Sequence, residues 1–271
     1  MYAIFRFVSS FVLIGIVASA LYIAILYAPA DPPAVSSLRP PVAVEVSIVH
    51  LHDRTDYGVV DAFYPQFPSL PASVNTAISS VIRTAANEHL QHAQEYWRAR
   101  IATASPTDNI SSTPADPNQF QFYADWVPEY ISPDLISITL RYGGFSGGAH
   151  GYEDIFTLTY DVRRGRMVSL SDLFPNDPAY LTFLSRFARE QLLPRLMTAY
   201  GLSDSTSDVQ RQSITDAVVP SLERGTEPES DNFSYFAIRR NGIVWYFPRY
   251  QVAAYAAGEQ HIFLPRPITS L

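Results

Sequence analysis

Apolar and polar positions follow three different rhythms along this chain. From Phe7 to Ala28 nearly every position is apolar, a run of 22 residues, long enough to cross a bilayer as a helix. Five prolines between Pro29 and Pro41 follow and predict an extended spacer. The rhythm then turns to period two. Val42 to Val49 predicts a strand, Tyr57 to Phe63 its partner, and Pro65-Gln-Phe-Pro68 the stop. From Ser73, a predicted N-cap, to about Ile101 the period becomes helical. Val74, Ile78, Val81, Ala85, His89, His92 and Tyr96 form a stripe expected to face a sheet. Residues 103–118 are polar, with three prolines, and predict a surface loop. Period two returns at Phe120-Gln-Phe-Tyr123, Leu135 to Leu140 and Ile155 to Tyr160.

The remaining pattern is mixed. Asp161 to Arg166 predicts a hairpin turn, and Leu170-Ser-Asp-Leu-Phe174 the closing of the sheet edge. A helix is expected with Asp177 as N-cap and Pro178 at its first position. Its buried face is Leu181, Leu184, Phe187, Ala188 and Leu192, with Pro194 kinking or ending it. A further helix spans about Asp208 to Val219. Ser234 to Arg239 and Ile243 to Phe247 predict a hairpin turning at Asn241-Gly242, a type I′ signal. His261 to Leu264 predicts a last strand. Strands around two or three helices, without βαβ alternation, indicate α+β: an antiparallel or mixed sheet with helices packed on it, preceded by one N-terminal transmembrane helix. The expected organisation is an anchor or signal at 1–28, a linker at 29–41, and a module whose halves are 42–130 and 131–271.

Charge and composition narrow the chemistry. Arg6 precedes the apolar run and no basic residue follows until Arg39, which places the N-terminus inside and the module outside the cytoplasm, in the periplasm or at the cell surface. Cleavage after Ala18-Ser-Ala20 is the alternative. The net charge of −7 argues against a nucleic-acid partner, which needs a basic face, and suits a basic protein partner better. All 19 basic residues are Arg, so Schiff-base, Ser-Lys and Walker-type lysine chemistry is excluded. With 0 cysteines, disulfides, thiol catalysis and Cys-based zinc sites are excluded as well.

Five of the 12 glycines fall between Gly143 and Gly151, so two strands are joined by a Gly-rich, His-bearing loop that another surface can approach closely. Gly144-Phe-Ser-Gly-Gly148 matches the G-x-S-x-G pattern of serine hydrolases, with Ser146 as nucleophile and His261 downstream. That mechanism needs strand, elbow, then helix, whereas a strand pattern follows here. His150 is read as fixing the bend through a backbone carbonyl; a base or ligand role beside Glu153 or Asp154 is the alternative. His50 and His52 share one strand face and His89 and His92 one helix face, but neither pair has an evident third ligand, so no metal and no cofactor are assigned. Trp245, Tyr246, Phe247, Tyr250 and Tyr255 read mostly as core.

Phe145-Ser-Gly-Gly-Ala-His-Gly151, followed by Asp161, Gly165 and Leu170 to Phe174, resembles the C-terminal half of RsiV-like extracytoplasmic domains. Gly242, Trp245-Tyr-Phe247, Tyr250 and Tyr255-Ala-Ala-Gly258 continue the pattern. Tyr64-Pro-Gln-Phe-Pro68 and a helix bearing Asn75 are similar to the companion domain, so the resemblance spans about residues 42–268. It implies one α+β unit outside the membrane. In the RsiV anti-sigma factor this region senses lysozyme by binding it, and a similar module precedes the catalytic domain of PdaC-type peptidoglycan deacetylases. The few residues before the apolar run and the end at Leu271 lead us to expect the anchored module alone.

The reading is therefore a membrane-anchored extracytoplasmic binding module, without catalytic residues, that recognises a lysozyme-like protein or a peptidoglycan-related ligand. Its binding residues are Ser146, Gly147, Gly148, His150, Tyr250 and Tyr255. A serine hydrolase using Ser146 and a structural envelope protein are the alternatives.

Overall fold

The computed structural model describes residues 44–105, 108 and 110–265. The apolar run 7–28 and the spacer 29–41 lie outside the described residues, and no helix among those described is long and apolar enough to cross a membrane. The described residues all fall in one unit, Ala43–Leu271.

The elements in order are β1 (Ser47–Arg54), β2 (Val59–Gln66), α1 (Ala72–Ala102), β3 (Gln121–Ile131), β4 (Leu135–Gly144), β5 (Tyr152–Asp161), β6 (Arg166–Met167), α2 (Tyr180–Ala199), α3 (Asp208–Gly225), β7 (Phe236–Arg239), β8 (Gly242–Phe247) and β9 (Gln260–Pro265). Six strands form one sheet in the order β1 to β6, and β7, β8 and β9 form a second. Among the described residues the fold is α+β with three α-helices. Neighbours pair antiparallel except β2 and β3, which run parallel because α1 is the crossover between them. The larger sheet is thus mixed.

Alternation assigns each face. Along β3 and β4, Phe122, Ala124, Ile136, Ile138 and Leu140 pack under Val74, Ile78, Ile82 and Ala86 of α1. The opposite face meets the smaller sheet, where Ile155 packs with Ala237, Val244 and Tyr246. The alternate residues of β7 and β8, among them Phe236, Ile238, Ile243, Trp245 and Phe247, pack on Leu184, Ala188 and Leu192 of α2 and on Val218 and Leu222 of α3. The order of layers is helix, sheet, sheet, helix pair.

Several boundaries differ from the sequence reading. β1 starts at Ser47 rather than Val42; Val44 and Val46 pack on the core before the ladder begins, and Val49 and Leu51 take over in the opposite phase. Ser73 does not cap α1, whose N-cap is Pro71 with no side-chain bond. Asn75 instead ties the preceding turn to the helix, its Oδ1 accepting from the Phe67 amide at 2.8 Å and its Nδ2 donating to the Phe67 carbonyl at 2.9 Å. The buried stripe of α1 is Val74, Ile78, Ile82, Ala86, His89, Ala93 and Trp97, rotated from the expected one because steps of four dominate. α2 begins at Tyr180 rather than Pro178, with Asp177 accepting the Ala179 amide at 2.9 Å, and it runs past Pro194 to Ala199. A capping box at Ser207 and Gln210 starts α3, which continues to Gly225.

The β7–β8 turn also differs. Arg239 pairs with Gly242, so the turn residues are Arg240 and Asn241, and neither has positive φ. Gly242 is instead a strand residue under close approach: a Cβ there would lie 2.3 Å from the Leu264 carbonyl oxygen.

Candidate functional site

The Gly-rich loop, residues 145–151, joins β4 to β5. Phe145 anchors it by stacking on Phe120, ring centroids 6.1 Å apart, and by donating its amide to the Gln121 carbonyl at 3.2 Å. Gly147 has φ +108° and crosses α1 so closely that a Cβ would lie 2.3 Å from the Tyr96 ring. Only glycine meets both conditions. Gly148, with φ +96°, faces open space. His150 Nδ1 lies 2.8 Å from the Gly151 carbonyl oxygen. A carbonyl only accepts, so Nδ1 carries the proton and Nε2 is free to accept from the Tyr250 hydroxyl at 3.3 Å.

That bond joins the loop to the turn after β8. The His150 and Tyr255 rings stack at 4.0 Å, and the Tyr255 hydroxyl donates to the Gly151 carbonyl at 2.9 Å. The Arg249 guanidinium sits 4.6 Å above the Tyr255 ring, a cation–π contact. Tyr250, at φ +70°, is the one described non-glycine residue with positive φ, and it is 60% exposed. Of the residues read as a site, the structure thus gathers His150, Tyr250 and Tyr255 on one surface, with Gly147 and Gly148 shaping its backbone.

Ser146 goes elsewhere. It lines a cleft of about 610 Å³ between α1 and the loop, with Glu88, His92, Tyr142, Tyr152 and Asp154. Burial pushes the Tyr142 hydroxyl up to about 12, with the Asp154 charge adding to it, and raises Tyr152 further in the same way. Burial, then Glu153, holds the Asp154 carboxyl above its ordinary value. Fully buried His89 is held below the ordinary histidine value by burial; the Phe120 carbonyl opposes that shift and His92 adds to it. Its Nδ1 meets the Tyr152 hydroxyl at 3.1 Å. Burial thus shifts Tyr142, Tyr152, Asp154 and His89 towards their neutral forms. Ser146 shares the cleft with a histidine and a carboxylate, but a strand, β5, follows its loop rather than the helix that a nucleophile elbow requires. His261 lies on β9, where its backbone carbonyl accepts from Arg195 at 2.6 Å.

On the other sheet face, a row of side chains leads towards the His150 surface. Asp61 pairs with Tyr123, Tyr123 with Gly143, and Gly143 with Glu153. The Tyr123 hydroxyl spans the gap over Gly143 and donates to Glu153 at 3.0 Å. Burial first, then Glu153, pushes it up to about 12, and Arg249 and Tyr255 are near enough to act on it too. Sequence reasoning missed Tyr123 and Arg249, and named Glu153 only as a neighbour of His150. The alternation of Gln121 to Asp125 already placed Tyr123 opposite buried Phe122, but its neighbours come from tertiary pairing. At the sheet edge His50 and His52 share a face as predicted, and Asp61, directly across on β2, supplies the third donor that spacing along β1 did not show.

Known proteins place part of this architecture. Residues 171–267 match the model described as "Protein of unknown function (DUF3298)". The matched segment makes up about a third of the chain. It contains α2, α3 and the three-stranded sheet, while the Gly-rich loop and the six-stranded sheet precede it. The chain is 32% identical over 144 residues to the peptidoglycan-N-acetylmuramic acid deacetylase PdaC of Bacillus subtilis. That match covers 53% of this chain, which spans only 27% of PdaC. A solved DUF3298 family member from Bacteroides fragilis superposes with TM-score 0.53 at 16% identity, covering 83% of this chain and 92% of the other, and shows the same fold. A DUF3298 family protein from Pseudomonas aeruginosa gives TM-score 0.48 at 15% identity, over 82% and 90%. The resemblance to the module of PdaC-type deacetylases is therefore shown.

Proposed function

We propose that the chain is a membrane-anchored, extracytoplasmic binding module that recognises a peptidoglycan-related ligand through the surface of His150, Tyr250 and Tyr255, and acts by binding rather than by chemistry. One observation carries the reading: two segments 100 residues apart are locked together by His150 and Tyr250, leaving Tyr250 exposed at a positive φ. Strained, exposed aromatic residues on loops held by rigid sheets belong to recognition surfaces. Aromatic rings with polar edges suit sugar rings, and PdaC is named for peptidoglycan N-acetylmuramic acid. The apolar run 7–28 supplies the anchor.

The test is co-sedimentation of the full chain, in mild detergent, with purified peptidoglycan. Saturable binding is expected, weakened about tenfold or more by Tyr250→Ala or Tyr255→Ala, since a central aromatic anchor contributes more than 1 kcal/mol. Binding indifferent to both variants would move the site elsewhere. The net charge of −7 favours a second partner, a basic muramidase of the lysozyme class; its capture by the full chain, without affinity for peptidoglycan, would replace the glycan reading. Labelling by a serine-reactive phosphonate, lost in Ser146→Ala, would replace both with a hydrolase.

A further inference from the structure

We propose that His50, His52 and Asp61 form a binding site for a divalent transition-metal ion of the zinc class. The spacing His-x-His on β1 puts both imidazoles on one face. Antiparallel register then sets Asp61 of β2 opposite His52, and Phe63 opposite His50. One ligand atom from each of the three residues lies within 4.8 Å of the others. His50 Nε2 is 2.6 Å from Asp61 Oδ1, and His52 Nδ1 is 3.8 Å from the same oxygen. Ligand atoms about 2.0–2.1 Å from a tetrahedral zinc ion stand about 3.3 Å from one another, between these two separations. Side-chain rotation alone brings the donors into place, because the strand ladder already fixes their backbones. Stacking of the His50 ring on Phe63, centroids 4.2 Å apart and 10° from parallel, orients one ligand in advance.

The donor types agree with the geometry. Two imidazoles and one carboxylate suit zinc, cobalt or nickel better than calcium or magnesium, which take oxygen ligands. Among the described residues, His50 and His52 are the ion-pair partners of Asp61, while nearby Arg54 is engaged by Asn118 at 3.0 Å. No guanidinium therefore occupies the position. The metal would replace the hydrogen bond between His50 and Asp61. The site lies on an open sheet face, with side-chain exposures of 49% for His50, 59% for His52 and 40% for Asp61. Three protein ligands leave at least one coordination position outward, beside Tyr123, the cross-strand neighbour of Asp61. An anionic or carbonyl donor on a ligand lying along this face is the chemistry that position accepts. The inference stands independently of the peptidoglycan reading, since it concerns uptake of the metal itself. The rival account is a plain hydrogen-bonded pair that keeps an edge strand polar.

The experiment is calorimetric titration of the chelator-stripped full chain, in mild detergent, with zinc chloride, paralleled by cobalt(II) and visible absorption. One equivalent per chain is expected, with the intense visible bands of low-coordinate cobalt. Asp61→Asn and His52→Ala should each weaken binding by about 10–100-fold, at least the effect of disturbing a ligand's support, and His50→Ala with His52→Ala should abolish it. The side chains are exposed, so a melting temperature close to that of the parent chain is expected and confirms folding. No saturable uptake into the millimolar range, or uptake that survives the double variant, overturns the proposal, the latter placing the metal elsewhere, for example by His92 and Glu88.

Discussion

The two faces of the six-stranded sheet bury their residues by different physics. Beneath α1 the contact is apolar: Ile78 and Ile82 meet Ile136, Ile138 and Leu140, all fully buried. Beneath the three-stranded sheet it is largely polar. Glu129, its side chain 3% exposed, accepts from Arg239 Nε at 2.7 Å, from the Thr139 hydroxyl at 3.0 Å, and from the Tyr246 hydroxyl. Arg141 forms a two-pronged pair with Glu259, at 2.9 and 3.3 Å, and lies over the Tyr246 ring. Ser137 meets Thr159 at 2.8 Å and accepts the Ile238 amide at the edge of β7, also at 2.8 Å. Apolar burial is non-directional and tolerates sliding. A buried polar network is satisfied in one arrangement, and each unmade bond is costly. The helix face therefore supplies cohesion, and the inter-sheet seam fixes how one sheet sits on the other. That placement is what brings the turn after β8 against the Gly-rich loop.

The largest expected effect tests this division directly. Glu129→Ala strands the buried hydroxyls of Tyr246 and Thr139 and unpairs the half-exposed Arg239, and should destabilise the chain in urea unfolding by about 1–3 kcal/mol for each stranded hydroxyl. Ile138→Ala, on the apolar face of the same sheet, should cost a comparable amount, about 2–5 kcal/mol. The discriminating readout is cooperativity: the seam variant should loosen the three-stranded sheet first. A loss within about 0.5 kcal/mol for Glu129→Ala, the range of ordinary surface changes, would reduce the seam to filler.

A smaller effect comes from the one histidine on the apolar side. Burial depresses the proton affinity of His89 in the folded chain, so the unfolded chain binds that proton more readily. Its contribution is present above the ordinary histidine value near pH 6.5 and is lost as pH falls towards the depressed folded value. The limiting slope is about 1.4 kcal/mol per pH unit. Urea midpoints between pH 7.5 and 5.5 should show the decline, and His89→Leu should flatten it. His261, also depressed by burial and by Arg195, leaves a residual slope. An unchanged slope in His89→Leu would mean that the helix-covered face does not exclude charge as described.

The smallest effect concerns the surface that the two sheets jointly position. Tyr250 occupies a left-handed conformation that glycine adopts freely. Tyr250→Gly should shift stability by no more than about 1 kcal/mol, relief of backbone strain offsetting the lost contact with His150, while ligand binding is lost. A clear loss of stability with binding retained would make Tyr250 a structural clasp instead.

The pattern of residues made some features legible and hid others. Period-two segments around the five clustered glycines gave β4, β5 and their loop, and the helical period from Val74 gave α1. Both signals are local, because burial of one face imposes its period on the chain. Glu129 was invisible for the opposite reason. It is the extra residue of a β-bulge where register shifts between Pro128 and Tyr130, and its partners Arg239 and Tyr246 lie 110 and 117 residues away. Pro128 inside the strand was the one local sign. Asp61 escaped notice likewise, since a ligand across a ladder has no fixed spacing in sequence.

By itself the sequence determined an α+β chain without cysteine or lysine, its main helices and hairpins, and the Gly-rich loop, because composition and periodicity act over a few residues at a time. Only the tertiary structure decided that the strands divide into two sheets, that β2 runs parallel to β3, and that His150 meets Tyr250 while Ser146 turns to a different cleft. Those outcomes depend on directional hydrogen bonds between residues far apart in the chain, and such bonds leave no period in the sequence.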